Sequence, residues 1–207
     1  MCSNYKAPGP LGLVAFAETH IDAFPSYRTD VWPGYAAPFL SNADGGLWQV
    51  GSFGLMPHWA KPDLFRSTYN ARSETVAEKP SYRSAWRQRQ LCIIPAEHFC
   101  EPNYESGKAV RWRIQRADGK PFGIAGLWEH RFADEGPARW SFTMLTINAD
   151  QHPLMKRFHK PDDEKRSIVV LSPDDYPDWL NARTDAEARS LLQPFDAQDF
   201  VAMPDVD

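Results

Sequence analysis

The apolar positions of this 207-residue chain fall into short runs rather than long helical stripes. Trp48–Phe53, Leu91–Ile94, Val110–Gln115, Phe122–Trp128, Phe142–Ile147 and Ser167–Leu171 each read as a short strand. Arg111-Trp112-Arg113-Ile114 alternates polar and apolar, the period of an antiparallel strand with one wet face. Pro80–Gln90 predicts a short helix, with Pro80 at its start and Tyr82, Ala85 and Trp86 on one side. Two acidic helices follow near the end, one capped by Ser172 with Pro173 at N1, the other beginning near Thr184-Asp185. Residues 8–45 read as irregular, punctuated by Pro25, Pro33, Gly34 and Pro38. Strands dominate the centre and helices the periphery. The pattern predicts an α+β fold: a single domain over 1–207, with a mixed, mainly antiparallel, barrel-like sheet core at about 2–180 and an acidic helical segment at 172–207.

Composition sharpens this picture. Eight Trp and 18 Pro mark a folded chain rich in strands and structured loops. Three cysteines, Cys2, Cys92 and Cys100, make no disulfide framework and fit a reducing, cytoplasmic setting. No signal peptide and no membrane-spanning run is expected. The net charge of −4 argues against a general nucleic-acid coat, but the charge is unevenly spread. Residues 61–92 hold Lys61, Arg66, Arg72, Lys79, Arg83, Arg87 and Arg89 against Asp63, Glu74 and Glu78, whereas residues 172–207 are strongly acidic. One basic and one acidic face are predicted.

Candidate chemistry starts at Cys2. Aminopeptidase trimming removes Met1 when the next side chain is small. The new terminus then carries an amine and a thiol on adjacent carbons, titrating at roughly 7.7–8.0 and about 8.5. The amine condenses with an aldehyde, and the sulfur closes onto the imine as a five-membered thiazolidine. Many chains begin Met-Cys without consequence, so the remaining residues must support this reading. Asn70-Ala-Arg72-Ser-Glu74-Thr75 is a dense polar cluster, with Arg72 suited to a phosphate and Asn70 to a neutral contact; alone it also reads as a hydrogen-bonded loop. Glu101, between Cys100 and Pro102, is a carboxyl in an apolar stretch, open to proton transfer or to a simple turn role. His152 and His159 fall in a polar connection and compete for an acid/base role. Cys92, His98 and Cys100 are spaced poorly for zinc, so no metal and no cofactor is expected. Gly54-Leu-Met56-Pro-His-Trp59 offers an apolar wedge of the kind that unstacks bases.

Taken in order, Met1-Cys2, Tyr35-Ala-Ala-Pro38, Gly54-Leu-Met-Pro-His-Trp59, Asn70-Ala-Arg-Ser-Glu74, Ile94-Pro-Ala-Glu-His-Phe-Cys-Glu101, Thr146-Ile-Asn-Ala149, His159 and Ile168-Val-Val-Leu171 resemble the SRAP family, named for SOS response-associated peptidase. The resemblance implies an SRAP-like fold and capture of abasic sites in single-stranded DNA through a thiazolidine crosslink to Cys2, shielding the site from strand cleavage in the DNA damage response. It implies that Asn70 positions the opened sugar, Glu101 handles protons during imine formation and Met1 removal, and His159 acts on the sugar hydroxyl and in reversal. Arg72 would contact phosphate, Thr146 would line the pocket, and Pro38, Met56 and Trp59 would stack on or wedge between bases. The 61–92 cluster, with Arg83 and Arg87, would supply further phosphate contacts. The family usually begins Met-Cys-Gly-Arg, whereas this chain has Ser3 and Asn4; its Phe-Tyr-Glu-Trp is Phe99-Cys100-Glu101-Pro102 here.

Two other classes fit parts of the same sequence. One is an N-terminal-nucleophile cysteine peptidase or amidohydrolase using Cys2, which predicts amide turnover and no DNA adduct. The other is a non-covalent single-stranded DNA-binding domain, which predicts binding that survives Cys2→Ala. The expected partner is single-stranded DNA bearing abasic sites, met by a monomer without a membrane.

Overall fold

The computed structural model describes residues 2–17, 25–43, 47–131 and 139–205. It is an α+β fold built on two sheets. Five strands close on themselves: β3 (Ala36–Ser41), β4 (Leu47–Phe53), β6 (Leu91–Ala96), β9 (Phe122–Arg131) and β10 (Arg139–Asn148). Around the ring β3 pairs with β4 and β6, β9 with β6 and β10, and β10 with β4. The β4–β10 pair is parallel and the others antiparallel, so this is a small mixed barrel. Closure leaves little room inside. A Cβ on Gly126 would lie 2.7 Å from Ile94 Cδ1 and 2.9 Å from Cys92 Sγ.

The second sheet is antiparallel, in the order β13 (Phe200–Pro204), β8 (Val110–Arg116), β7 (His98–Asn103), β1 (Asn4–Lys6) and β2 (Asp30–Val31). The chain crosses from barrel to second sheet at Glu97, between β6 and β7. That crossing carries Glu101 into the space between the two. Short strands β5 (Asn70–Arg72) and β11 (Arg166–Ile168) flank the end of β10, and β12 (Val170–Leu171) pairs with β9.

Period-two alternation assigns the barrel side chains to two cores. Cys92 and Ile94 join Phe39, Phe53 and Phe142 in one cluster, which continues into Tyr5, Phe99 and Ile114 of the second sheet. Leu91 and Ile93 join Leu127, Leu145, Trp86 and Trp179 in the other. Helices α3 (Arg83–Arg87), α4 (Tyr176–Asn181) and α5 (Asp185–Ser190) supply and cover the second cluster. Thr184 caps α5 with a full capping box to Glu187. Trp86 and Trp179 bury their rings while donating Nε1–H to Asp185 Oδ1 at 2.6 Å and the Cys92 carbonyl at 2.9 Å.

Three sequence expectations change. Residues 8–45 are not wholly irregular: they hold α1 (Pro10–Leu13), β2 and the barrel strand β3. Pro38 suggested a breaker, but it lies where β3 pairs with β4 and before its pairing with β6 begins at Leu40. The acidic 172–207 segment is α-helical only to Ser190, and after a single 3-10 turn at Ala197–Asp199 it returns as β13 along β8. The run Ser167–Leu171 divides into β11 and β12, because Val169 leaves its neighbours' ladders and bonds to Leu145 and Ala125 instead. No helix among the described residues is long and apolar enough to cross a membrane.

Candidate active site

Cys2 enters just ahead of β1 and is buried at 1% exposure. Asn70 opens β5, opposite Met144 of β10. Its Nδ2 donates to the Cys2 carbonyl at 2.7 Å, joining residues far apart in sequence. The Asn70 carbonyl accepts from Tyr82 Oη at 2.9 Å, which fixes the backbone that carries the amide. Asn70 Oδ1 is buried and has no hydrogen-bond partner among the described residues. A buried acceptor left open is costly in a structural loop and useful where a ligand hydroxyl must dock.

Glu101 is central in β7 and 2% exposed. Burial pushes its carboxyl up to about 7. His159 Nδ1 stands 3.7 Å from Glu101 Oε2, beyond a direct hydrogen bond. The His159 N–H donates to the Pro102 carbonyl at 2.9 Å, and its Nε2 is 3.4 Å from the Arg166 carbonyl. Its backbone is held at φ 64°, a left-handed conformation that costs a non-glycine residue about 1–3 kcal/mol. Burial lowers the imidazole to about 4. Glu101 and His159 therefore hold one proton between them from about pH 4 to 7, carried on Glu101. The Cys2 thiol donates to the Asn4 carbonyl at 3.3 Å, and burial, then the Glu101 charge, raise it well above its ordinary value. It stays protonated until a base takes its proton.

The two histidines part clearly. His152 Nδ1 accepts from the N–H groups of Leu154 and Met155, both at 3.1 Å, and Nε2 lies 3.0 Å from the Phe195 carbonyl. Both ring nitrogens are spent on backbone, so His152 caps a turn. His159 is the histidine facing Glu101.

Thr146 and Arg72 lie next to the site in a different kind of cluster. Arg166, 2% exposed, bonds Glu74 through both terminal nitrogens at 2.7 and 2.9 Å, Glu164 at 2.8 Å, and the Thr146 carbonyl and hydroxyl at 2.9 and 3.2 Å. Arg72 is exposed and bonds Glu164 at 2.6 Å. Thr146 is thus buried and engaged rather than lining open space.

The remaining expected contacts are spread over the surface. Trp59, Arg83 and Arg87 are exposed, and Met56 is half-buried. Pro38 is buried opposite Val50, so its ring offers a base little surface. Cys92 is a core residue of the barrel, and Cys100 contacts Arg111 Nη2 at 3.3 Å. Among the described residues no group of His, Cys, Asp or Glu could hold a metal ion. Met1 lies outside the described residues.

Two participants escaped the sequence reading. Arg166 was visible only as the last cation before an apolar strand. Tyr69, beside Asn70, packs against the core cluster that holds Cys2, and its phenol is raised by burial and then by the charges of Cys2 and Glu101. Nothing in its sequence context marks it.

Comparison with known proteins identifies the family and the fold. Residues 8–206 match the family model described as SOS response associated peptidase (SRAP). Abasic site processing protein YoqW of Bacillus subtilis is 35% identical over 165 residues, covering 77% of this chain and 70% of that protein. Abasic site processing protein YoaM of the same organism is 33% identical over the same length, covering 77% and 69%. A solved structure from Bordetella bronchiseptica superposes with a TM-score of 0.88 at 37% identity, covering 98% and 99% of the two chains. One from Bacteroides thetaiotaomicron shares the fold, at a TM-score of 0.81 and 23% identity over 98% and 91%. The family model matched over residues 8–206 and the relatives at 33–37% identity place this chain in the SRAP family.

Proposed function

We propose that this protein processes abasic sites in single-stranded DNA, capturing the ring-opened deoxyribose aldehyde on the amine and thiol of Cys2 as a thiazolidine. The observation that carries the reading is the Asn70–Cys2 hydrogen bond beside a buried carboxyl tuned to about 7. The names of the relatives support the choice of substrate.

The chemistry follows from these groups. Once Met1 is removed, the Cys2 amine adds to the aldehyde carbon to give a carbinolamine. Protonated Glu101 gives its proton to the departing hydroxyl, which leaves as water. The carboxylate so formed takes the thiol proton, and sulfur adds to the iminium carbon while the nitrogen regains its electron pair and keeps its one hydrogen. One C–N and one C–S bond form, and one water is lost. Asn70 fixes the Cys2 carbonyl, holding amine and thiol at the aldehyde and making the second addition intramolecular. Its open Oδ1 accepts from a sugar hydroxyl, and neutral His159 moves the hydroxyl proton. A simple imine would acidify the neighbouring C–H and promote strand cleavage; the thiazolidine removes that charge and protects the strand. Exposed Arg72, Arg83 and Arg87 meet phosphates and Trp59 meets a base. Pro38 is not among these contacts.

The test is direct. Purified protein is mixed with fluorescent single-stranded DNA bearing one abasic site, denatured and resolved by size. A slower band should form with intact protein. It should vanish in Cys2→Ala and in a chain with residues fused ahead of Cys2. Absence of the band, or an adduct mapped by mass spectrometry to another side chain, overturns the reading. Amide turnover without an adduct would favour a peptidase.

A further inference from the structure

A cavity of about 320 Å³ opens on the barrel between the end of β4 and the start of β10, and of its lining only Met56 was expected to meet DNA. Phe65, Trp140 and Met56 supply its apolar surface, and Arg131 and Arg139 its charge. The aromatic walls are fixed. Phe65 seats against two glycines in left-handed conformations: a Cβ on Gly34 (φ 89°) would lie 2.6 Å from its Cε2, and one on Gly54 (φ 120°) 2.6 Å from its Cβ. Trp140 is stacked on His130 at 4.2 Å and lies against Trp128 at 5.2 Å. Arg66 sits over the Phe65 ring at 5.7 Å, adding a third cation beside the cavity. Glu129 pairs with the lining residue Ser141, and burial moves its carboxyl up to about 7, so it carries only part of a charge near neutrality. Rigid aromatic faces beside guanidinium groups suit a base and its phosphate.

The position links this cavity to Cys2. Both β4 and β5 pair in parallel with β10, Ser52 opposite Ser141 and Asn70 opposite Met144. Three residues of strand separate the two pairs, about 10 Å at about 3.3 Å per residue. That is about three nucleotides at the stacked rise of about 3.4 Å, and fewer in an extended strand.

We propose that the cavity takes a nucleobase of the same DNA strand, within three nucleotides of the abasic site. The proposal rests on the abasic-site reading for the identity of the strand. Its consequence is selectivity: a lesion flanked by an intact unpaired base is captured faster than one flanked by further base loss.

The experiment places one unreactive base-less spacer at each of the four positions on either side of the abasic site. Crosslinking is measured at subsaturating DNA. At one position within three nucleotides the rate should fall about tenfold, the scale of one lost base–aromatic stack. Trp140→Ala should be slower on intact DNA and indifferent to the spacer. Phe65→Leu and Arg139→Gln, milder changes, should each reduce the spacer effect, and Arg139→Gln should also lower the salt slope by about one. A rate insensitive to spacer position, or a spacer effect unchanged in all three variants, overturns the proposal. So does preferential occupancy by N-acetyltryptophanamide, a peptide-like probe, over the oligonucleotide. The same scan is read by fluorescence anisotropy with Cys2→Ala protein. If no adduct forms anywhere yet binding keeps its spacer dependence and its Trp140 dependence, the cavity assignment stands and the covalent reading falls.

Discussion

Two polar clusters flank the last residues of β10, and they differ in how their charge is met. Around Arg166 both terminal guanidinium nitrogens are saturated, bonded to Glu74, Glu164 and Thr146. Around Cys2 one buried acceptor, Asn70 Oδ1, is left open, and His159 Nδ1 stands 3.7 Å from Glu101 Oε2. The first arrangement stabilises the fold. The second spends stability on readiness, since a raised Glu101, a lowered His159 and a left-handed His159 backbone are each unfavourable without a ligand. Substitutions should therefore separate cleanly into those that lose activity and those that lose stability.

The largest effect is expected at Glu101. Glu101→Gln should slow single-turnover crosslinking by about 10²–10⁴-fold and abolish the pH dependence centred near 7. Wild-type rates should peak near that value, because dehydration needs the acid and thiol activation the carboxylate. A variant that keeps the same pH profile would assign the proton transfers elsewhere. Asn70→Ala should behave alike in rate, with a loss of stability of only about 1 kcal/mol.

On the other side, Arg166→Met should cost about 3–4 kcal/mol, seen as a lower urea midpoint with an unchanged slope. The side chain is 3% exposed, and its loss removes one bond from each Thr146 oxygen and the shared cation from Glu74 and Glu164. A drop below about 1 kcal/mol would show the cluster to be no more than a surface ion pair.

A third measurement tests the stability spent at Glu101. Its folded pKa lies above the ordinary 4.5, so the stabilisation from its protonated form is complete below about 4.5 and is lost as pH rises through about 7. Glu101→Gln, which cannot ionise, should match wild type near pH 4.5 and exceed it by about 2–3 kcal/mol at pH 8. His159 acts in the opposite sense: its stabilisation is present above about 6.5 and is lost as pH falls through about 4. An acid limb between about pH 6.5 and 4 that disappears in His159→Gln would identify it.

The same contrast explains what the sequence disclosed. Strands β6, β9 and β10 were legible because each holds six consecutive buried positions, most of them apolar. Strand β7 was not. Its core-facing positions are Phe99, Glu101 and Asn103, all buried, so two polar residues interrupt the expected alternation. The interruption is the site itself. β1 is too short to show a period, and its position follows from pairing with β7. Cys2 and Glu101 were found from their chemistry, but the Asn70–Cys2 bond depends on the parallel pairing of β5 with β10, which no local pattern encodes. Arg166 and Tyr69 needed the same long-range pairing to acquire meaning.

The smallest effect is expected where the two clusters meet the solvent. Arg72 and Glu164 have side chains 47% and 38% exposed, so their ion pair contributes at most about 1 kcal/mol. If Arg72 meets a phosphate, it must first leave Glu164, and the carboxylate competes with DNA for one guanidinium. Arg72→Gln should then weaken DNA binding a few-fold and lower the salt slope by about one. Glu164→Gln should act in the opposite direction, tightening binding a few-fold at low salt, with the gain vanishing at high salt as both interactions are screened. Equal weakening by both substitutions would mean that Glu164 positions Arg72 for phosphate, and that the saturated cluster serves the DNA face as well as the fold.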